Sequence, residues 1–439
     1  MSGKLRSRPH VAERDFAEWY YTPHTLAAGL CSAFVVLATV LLRESGNAEA
    51  NVKHGLAACV VIFTVFGAVH LPDGIVLRPH PAVWRAVLAI ALVYLLFLVF
   101  MLFQDLETVR SIFGYYDAGL LLPPAEESYA TDCRMSTEEE PHKFWNTVAD
   151  VFLIAHLGGY WAKTLVLRDW RVVTAVSIGF EIIEVTGQHV LPNFAECWWD
   201  HLLVDVLICN GGGTVLGLLT LRAVNAKDYH WVQLRDIKSV SGKARRVLGQ
   251  FTPRDGLVRY RWNMFDSPKR FFQVAILLAV MFLQEVNCFM MKSILNMKPS
   301  YHLVPLRLAL WGVIAIPGVR EFYDYVSEPT TKRIGTTAWV GTLALAFETL
   351  WIWKMAFHGG YFRQPMPLTV YYPWAWSLCA GTVWLAMFFG LAQYRRKSAL
   401  LRGALNVLFY SIPVALTGMF AMTNKDLEYG KDAFTEWVS

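Results

Sequence analysis

Apolar residues in this chain run in blocks, with polar residues gathered between them, and the blocks have the length of a bilayer. A helix needs about 20 mainly apolar residues to cross the hydrocarbon core. Blocks of that order lie near 25–42, 55–71, 84–103, 147–167, 171–190, 201–222, 271–292, 303–318, 336–357 and 371–393, with a possible eleventh near 403–422. The pattern predicts an all-α protein, a polytopic transmembrane helical bundle with about ten membrane spans. It divides into a cytoplasmic N-terminal segment over 1–24, a multi-span membrane domain over 25–394 and a C-terminal segment over 395–439 that carries the extra span. No small-residue cleavage site follows the first apolar run, so that span is expected to act as a signal anchor.

Composition agrees with the pattern. Of 439 residues, 55% are hydrophobic and only 17% charged, and the mean hydropathy is +0.35, too apolar for a soluble domain of this size. Basic residues then set the orientation, because cytoplasmic loops are enriched in Lys and Arg. Lys4, Arg6, Arg8 and Arg14 precede the first span, a dense set from Lys227 to Arg270 follows the sixth, Lys332 and Arg333 follow the eighth, and Arg395, Arg396 and Lys397 follow the tenth. All four groups share one side if the ten spans hold. The connection from Gln104 to Asn146, with Glu126, Glu127 and Glu138 to Glu140, is acidic and falls on the luminal side, as does "LPNFAECWWD". The net charge of +5 is therefore topological, and no soluble basic and aromatic face for nucleic acid is present. The basic segment 223–270 also has the make-up of amphipathic pieces on an anionic membrane surface.

Seven cysteines show no CxxC or zinc-type spacing. Five lie in or beside apolar spans and read as small buried hydrophobes. Cys133 and Cys197 map to luminal loops, where disulfides persist, and are expected to pair and tie the acidic loop over whatever lies beneath. Asn193 and His201 are expected to be reachable from the lumen.

Ionisable groups inside a span cost about 2.5–3.5 kcal/mol each at the helix centre, so a cluster of them points to function. The fourth span carries His156 in "VFLIAHLGGYWAK", the fifth Glu181 and Glu184 in "SIGFEIIEVTGQHV", and the sixth Asp205 in "DHLLVDVLICNGGG". Glu181 and Glu184 are three apart and share a helical face, with Gln188 a further turn along. Two acids so close repel unless a cation lies between them, and oxygen donors without cysteine suit a hard cation such as calcium or magnesium. Asp205 can supply a third carboxylate, and Glu196 and Asp200 can close the shell. Gly158 and Gly159 beside His156, and the triplet Gly211 to Gly213, read as close-packing positions.

"LPNFAECWWD" followed by "CNGGG", together with "RPHPAVWR", "YHW" and "QFTP", resembles the base-exchange phosphatidylserine synthases of the animal type. The resemblance runs from about Tyr21 to about Tyr394, and "REFYDY" at 320–325 is closer to the type-2 form. It implies a multi-pass protein of the endoplasmic reticulum that replaces the head group of a phospholipid with L-serine, using calcium and no ATP. Phosphatidylethanolamine is the donor implied, with phosphatidylcholine the alternative. Carried over by motif, the catalytic histidine falls on His156 and the calcium carboxylates on Glu181, Glu184, Asp205 and Glu196. Asp200, Asn210, Gln188 and Trp199 are then the residues expected to meet substrate, with Trp198 and Trp199 at the membrane interface, and a homodimer is the expected assembly. His156 would take the serine hydroxyl proton, and direct displacement and a phosphatidyl-histidine intermediate both stay open.

A cation or solute transporter could use the same acids, but it predicts internal repeats and none is visible. CDP-alcohol phosphotransferases need DGxxAR with a spaced GxxxDxxxD, of which only "DGIVLR" is present, and the HExxH of intramembrane metalloproteases is absent.

Overall fold

The computed structural model describes residues 23–42, 48–76, 80–124, 133, 134, 136, 141, 142, 144, 145, 151–225, 237, 239–248, 260–395 and 398–428. The N-terminal basic residues, the acidic runs at 126–127 and 138–140, and the motifs "YHW" and "QFTP" lie outside them. The described residues contain helices and no strand, as the block pattern predicts.

Each of the eleven apolar blocks forms a helix, and two further helices lie in the connections. They are α1 (Pro23–Leu42), α2 (Ala48–His70), α3 (Pro81–Leu102), a short connecting α4 (Leu106–Tyr116), α5 (Val151–Leu167), α6 (Trp170–Gly187), a π-helical stretch π1 (Asp200–Gly211) continuing into α7 (Gly212–Asn225), a connecting α8 (Val240–Leu248), α9 (Pro268–Ile294), α10 (Leu303–Ser327), α11 (Thr336–His358), α12 (Leu368–Gly390) and α13 (Ala399–Glu428). Seven are long and apolar enough to cross a membrane by length and composition alone, and the possible eleventh span, over Ala399–Thr423, is one of them. Helix α4 was not anticipated within the acidic connection. Asp105 starts it by accepting from the Thr108 amide at 2.7 Å, and its buried Val109 packs into the core.

Buried residues fall into layers that reveal how the chain alternates. The C-terminal ends of α3, α6, α9 and α11 meet with α4 in one cluster, through Met101, Val109, Leu191, Phe194, Met290, Ile294, Trp351 and Met355. The end of α5, the start of α6 and α9, and the second half of α10 meet in another, through Leu167, Val173, Val274, Val319 and the loop residue Trp262. Successive helices therefore run in opposite directions, as a chain threading a bilayer must. Between these layers α3, α10 and α11 pack through Val87, Trp311, Ile314 and Ala344. The C-terminal helix belongs to the same body: Met419 of α13 is buried against Val185 of α6 and Val370 of α12.

Candidate functional site

Helices α5 and α6 form a tight antiparallel hairpin. Arg168 takes the left-handed conformation (φ 52°) and Asp169 accepts from the Arg171 amide at 2.9 Å, which stops one helix and starts the next within a few residues. Glycine brings α7 against α5: a Cβ on Gly213 would lie 2.4 Å from the Leu157 carbonyl oxygen, and one on Gly217 2.5 Å from Thr164 Cβ. Within the glycine triplet the close approach belongs to Gly213. Gly158 and Gly159 do not share it, because a Cβ on either would meet nothing within 4 Å. Open space lies on their side of α5, so these two positions leave room where close packing was expected.

The connection from α6 to π1 is clamped. Cys133 and Cys197 form a disulfide, and Trp199 donates from Nε1 to the Cys133 carbonyl oxygen at 3.1 Å while its ring packs on Phe144. Trp199, placed by sequence at the interface and among the substrate contacts, is buried as a strut under this clamp. A π turn advances further than the 3.6 residues of an α turn, so Asp205 and Asn210, five apart, come to one face of π1.

On that face the predicted acids converge. His156 Nδ1 lies 2.8 Å from Asp205 Oδ1, with the histidine side chain 46% exposed and the aspartate 9%. His201 Nδ1 lies 2.9 Å from Glu181 Oε2 and 3.9 Å from both Glu184 Oε2 and Glu196 Oε2. Asn210 donates to Ser177 Oγ at 2.9 Å and, at 3.5 Å, to Glu181 Oε1. Ligand atoms of Glu181, His201 and Asp205 lie within 4.8 Å of one another, and so do those of Glu184, Glu196 and His201. Asp200 begins π1, and Gln188 follows α6 with Nε2 buried and unpartnered.

Four acids thus gather around one imidazole. Held ionised in apolar surroundings they would repel, a repulsion that protonation or a bound cation relieves. Glu196, on the connection outside the spans, shows the strain: burial first, and then the neighbouring Glu184 carboxylate, push its pKa well above the ordinary range. The donor set is mainly carboxylate oxygen, and Asn210 Oδ1 is a further buried oxygen without a hydrogen-bond partner. These residues fit calcium, a hard cation with six to eight oxygen ligands.

Several residues were missed from the sequence. His201, expected at the luminal surface, is fully buried at the centre of the acids. Lys163 pairs with Glu285 of α9 at 2.9 Å, close enough for both to act electrostatically on His156. Lys163 and Glu285 are charges inside apolar helices, the same signal that revealed the other acids. Phe420 of α13 lies against the His201 ring, with centroids 5.8 Å apart.

The fold and this pocket define a multi-pass membrane protein with an acid-rich, histidine-bearing site between its helices. Residues 79–356 match the family described as Phosphatidyl serine synthase, and the chain belongs to that family. It is 39% identical over 370 residues to CDP-diacylglycerol-serine O-phosphatidyltransferase 2 of Oryza sativa subsp. japonica, which covers 81% of this chain and 86% of that protein. It is 35% identical over 383 residues to Phosphatidylserine synthase 2 of Homo sapiens (86% of this chain, 77% of that protein), and 33% identical over 339 residues to Phosphatidylserine synthase of Drosophila melanogaster (76% and 66%).

Proposed function

We propose that this protein makes phosphatidylserine by base exchange, replacing the ethanolamine of phosphatidylethanolamine with L-serine. The observation that carries the reading is the His156–Asp205 contact at 2.8 Å beside a pocket whose acids could hold a cation. Asp205 accepts from Nδ1, which fixes the tautomer and leaves Nε2 as the base. The serine hydroxyl gives its proton to His156 as its oxygen bonds to phosphorus. The bond from phosphorus to the ethanolamine oxygen breaks, and the proton returns to that oxygen. One phosphodiester replaces another, so no nucleotide is consumed. Glu181, Glu184, Glu196 and Asp205 would hold calcium, which when bound supplies positive charge beside the phosphate.

Related proteins divide on the donor, since the rice relative carries a CDP-diacylglycerol name and the animal relatives do not. The absence of the complete CDP-alcohol phosphotransferase motif favours base exchange here. Neither the family nor the relatives' names speak for a transporter. The disulfide suits the oxidising lumen of the endoplasmic reticulum, the compartment of this reading, and a homodimer is its assembly. The test is labelled serine incorporation by purified protein, in parallel with phosphatidylethanolamine and with CDP-diacylglycerol, with and without a calcium chelator. Product from phosphatidylethanolamine that vanishes on chelation is expected. Product from CDP-diacylglycerol alone would overturn base exchange.

A further inference from the structure

We infer that Lys163 and Glu285 form the subsite that recognises the acceptor amino acid, Lys163 taking the carboxylate of L-serine and Glu285 its ammonium group. The inference rests on the acceptor half of the reading above, and it holds whichever lipid is the donor.

The geometry begins on α5. His156, Tyr160 and Lys163 stand at i, i+4 and i+7, one face of the helix. Lys163 is about 10 Å further along the axis than His156. Its Nζ, however, sits 3.9 Å from the Tyr160 ring centre, so the ammonium folds back over the residue one turn from His156. That interval suits one small amino acid, with its hydroxyl at His156 and its carboxylate at Lys163. Glu285 reaches the same place from α9, and it acts electrostatically on His156, Tyr160, Glu181 and Glu184.

Chemistry supplies the second step. Serine carries a carboxylate that ethanolamine and choline lack, and an acid-rich pocket repels that group unless a cation meets it. Lys163, folded over Tyr160 and paired with Glu285, is a cation placed on the His156 face of α5. A serine zwitterion inserted into the Lys163–Glu285 pair exchanges one ion pair for two, so no charge is left unmatched. The two side chains keep 21% and 14% exposure, with Glu285 Oε1 itself buried, so serine would enter by parting the pair. Open space beside Gly159, at i+3 from His156 on the same side of α5, leaves room on the approach.

The test measures phosphatidylserine formation by full-length purified protein against L-serine concentration, with the donor lipid that the wild type uses, for Lys163→Gln, Lys163→Arg and Glu285→Gln. Equilibrium binding of labelled L-serine and of labelled ethanolamine runs beside it, and thermal melting reports folding. Lys163→Gln is expected to raise KM for serine roughly 10- to 150-fold, the range for one charge-assisted hydrogen bond, with kcat within about threefold. Serine binding should weaken in step while ethanolamine binding holds, and Lys163→Arg should recover part of the loss. A Lys163→Gln protein that melts normally and keeps wild-type serine KM and binding would overturn the assignment, as would equal loss of serine and ethanolamine binding. Failure of base exchange would instead show as product from CDP-diacylglycerol alone, with the serine KM effect of Lys163→Gln intact.

Discussion

Two groups of buried ionisable residues lie in this membrane bundle, and they differ in charge balance. Between α3, α10 and α11, Arg307 pairs with Glu348, which also accepts from the Tyr94 hydroxyl and, at 3.4 Å, from Trp311 Nε1. Arg307 donates further to the Gln284 carbonyl oxygen at 3.3 Å. One cation meets one anion, and neutral donors fill the remaining lone pairs. Between α5, α6 and π1, four acids meet two imidazoles, those of His156 and His201. The first arrangement is balanced in charge and ties α3, α9, α10 and α11 together. The second carries more acids than imidazole partners, the imbalance on which the proposed cation site rests. A charge within a span thus becomes evidence of function when its partners are too few.

The largest effect expected from breaking this contrast is catalytic. His156→Ala should lower phosphatidylserine formation about 100- to 10,000-fold while calcium binding, followed by calorimetry, persists. Residual activity above half of wild type would return His156 to a structural role. Next comes Glu348→Gln, which leaves Arg307 buried without its anion and should cost about 3–5 kcal/mol, read as a lower melting temperature at any calcium level. Glu184→Gln should do the opposite: melting without calcium stays level or rises as repulsion is relieved, and the stabilisation that calcium brings to wild type shrinks. Similar melting losses in both variants would erase the distinction between the two groups.

Cys197→Ser should cost about 2–4 kcal/mol of stability, because the Cys133–Cys197 bond closes a loop across a sequence separation of 64. Non-reducing mass spectrometry of the wild type gives the companion check.

The smallest effect lies outside the membrane. The Gly119 amide and the Tyr301 hydroxyl hold Asp117 below the usual carboxylate range, and burial together with that same bond pushes Tyr301 up to about 12. A lowered carboxylate contributes stability above its unfolded pKa and loses it as pH falls through its folded value. Asp117→Asn should therefore melt slightly below wild type at neutral pH, and the difference should close in acid. A gap that persisted in acid would show the carboxylate's charge to be irrelevant.

Span length and the carboxylates three apart on α6 were legible in the sequence, because each depends on local spacing and on the cost of charge in hydrocarbon. The same cost applied to Lys163, Glu285, Arg307 and Glu348, so the signal was present without revealing which charges were matched. Pairing is a property of neighbours from distant helices, and only the packed bundle decides it. Tertiary structure also decided that His201 is the centre of the acids, through the π turn and the clamp of Cys133, Cys197 and Trp199. It buried Trp199, left space beside Gly158 and Gly159, and gave the close approach to Gly213. Tryptophan and glycine report only what a position permits; whether an indole meets lipid or a loop, and whether a missing Cβ admits a helix or a substrate, depends on what packs opposite.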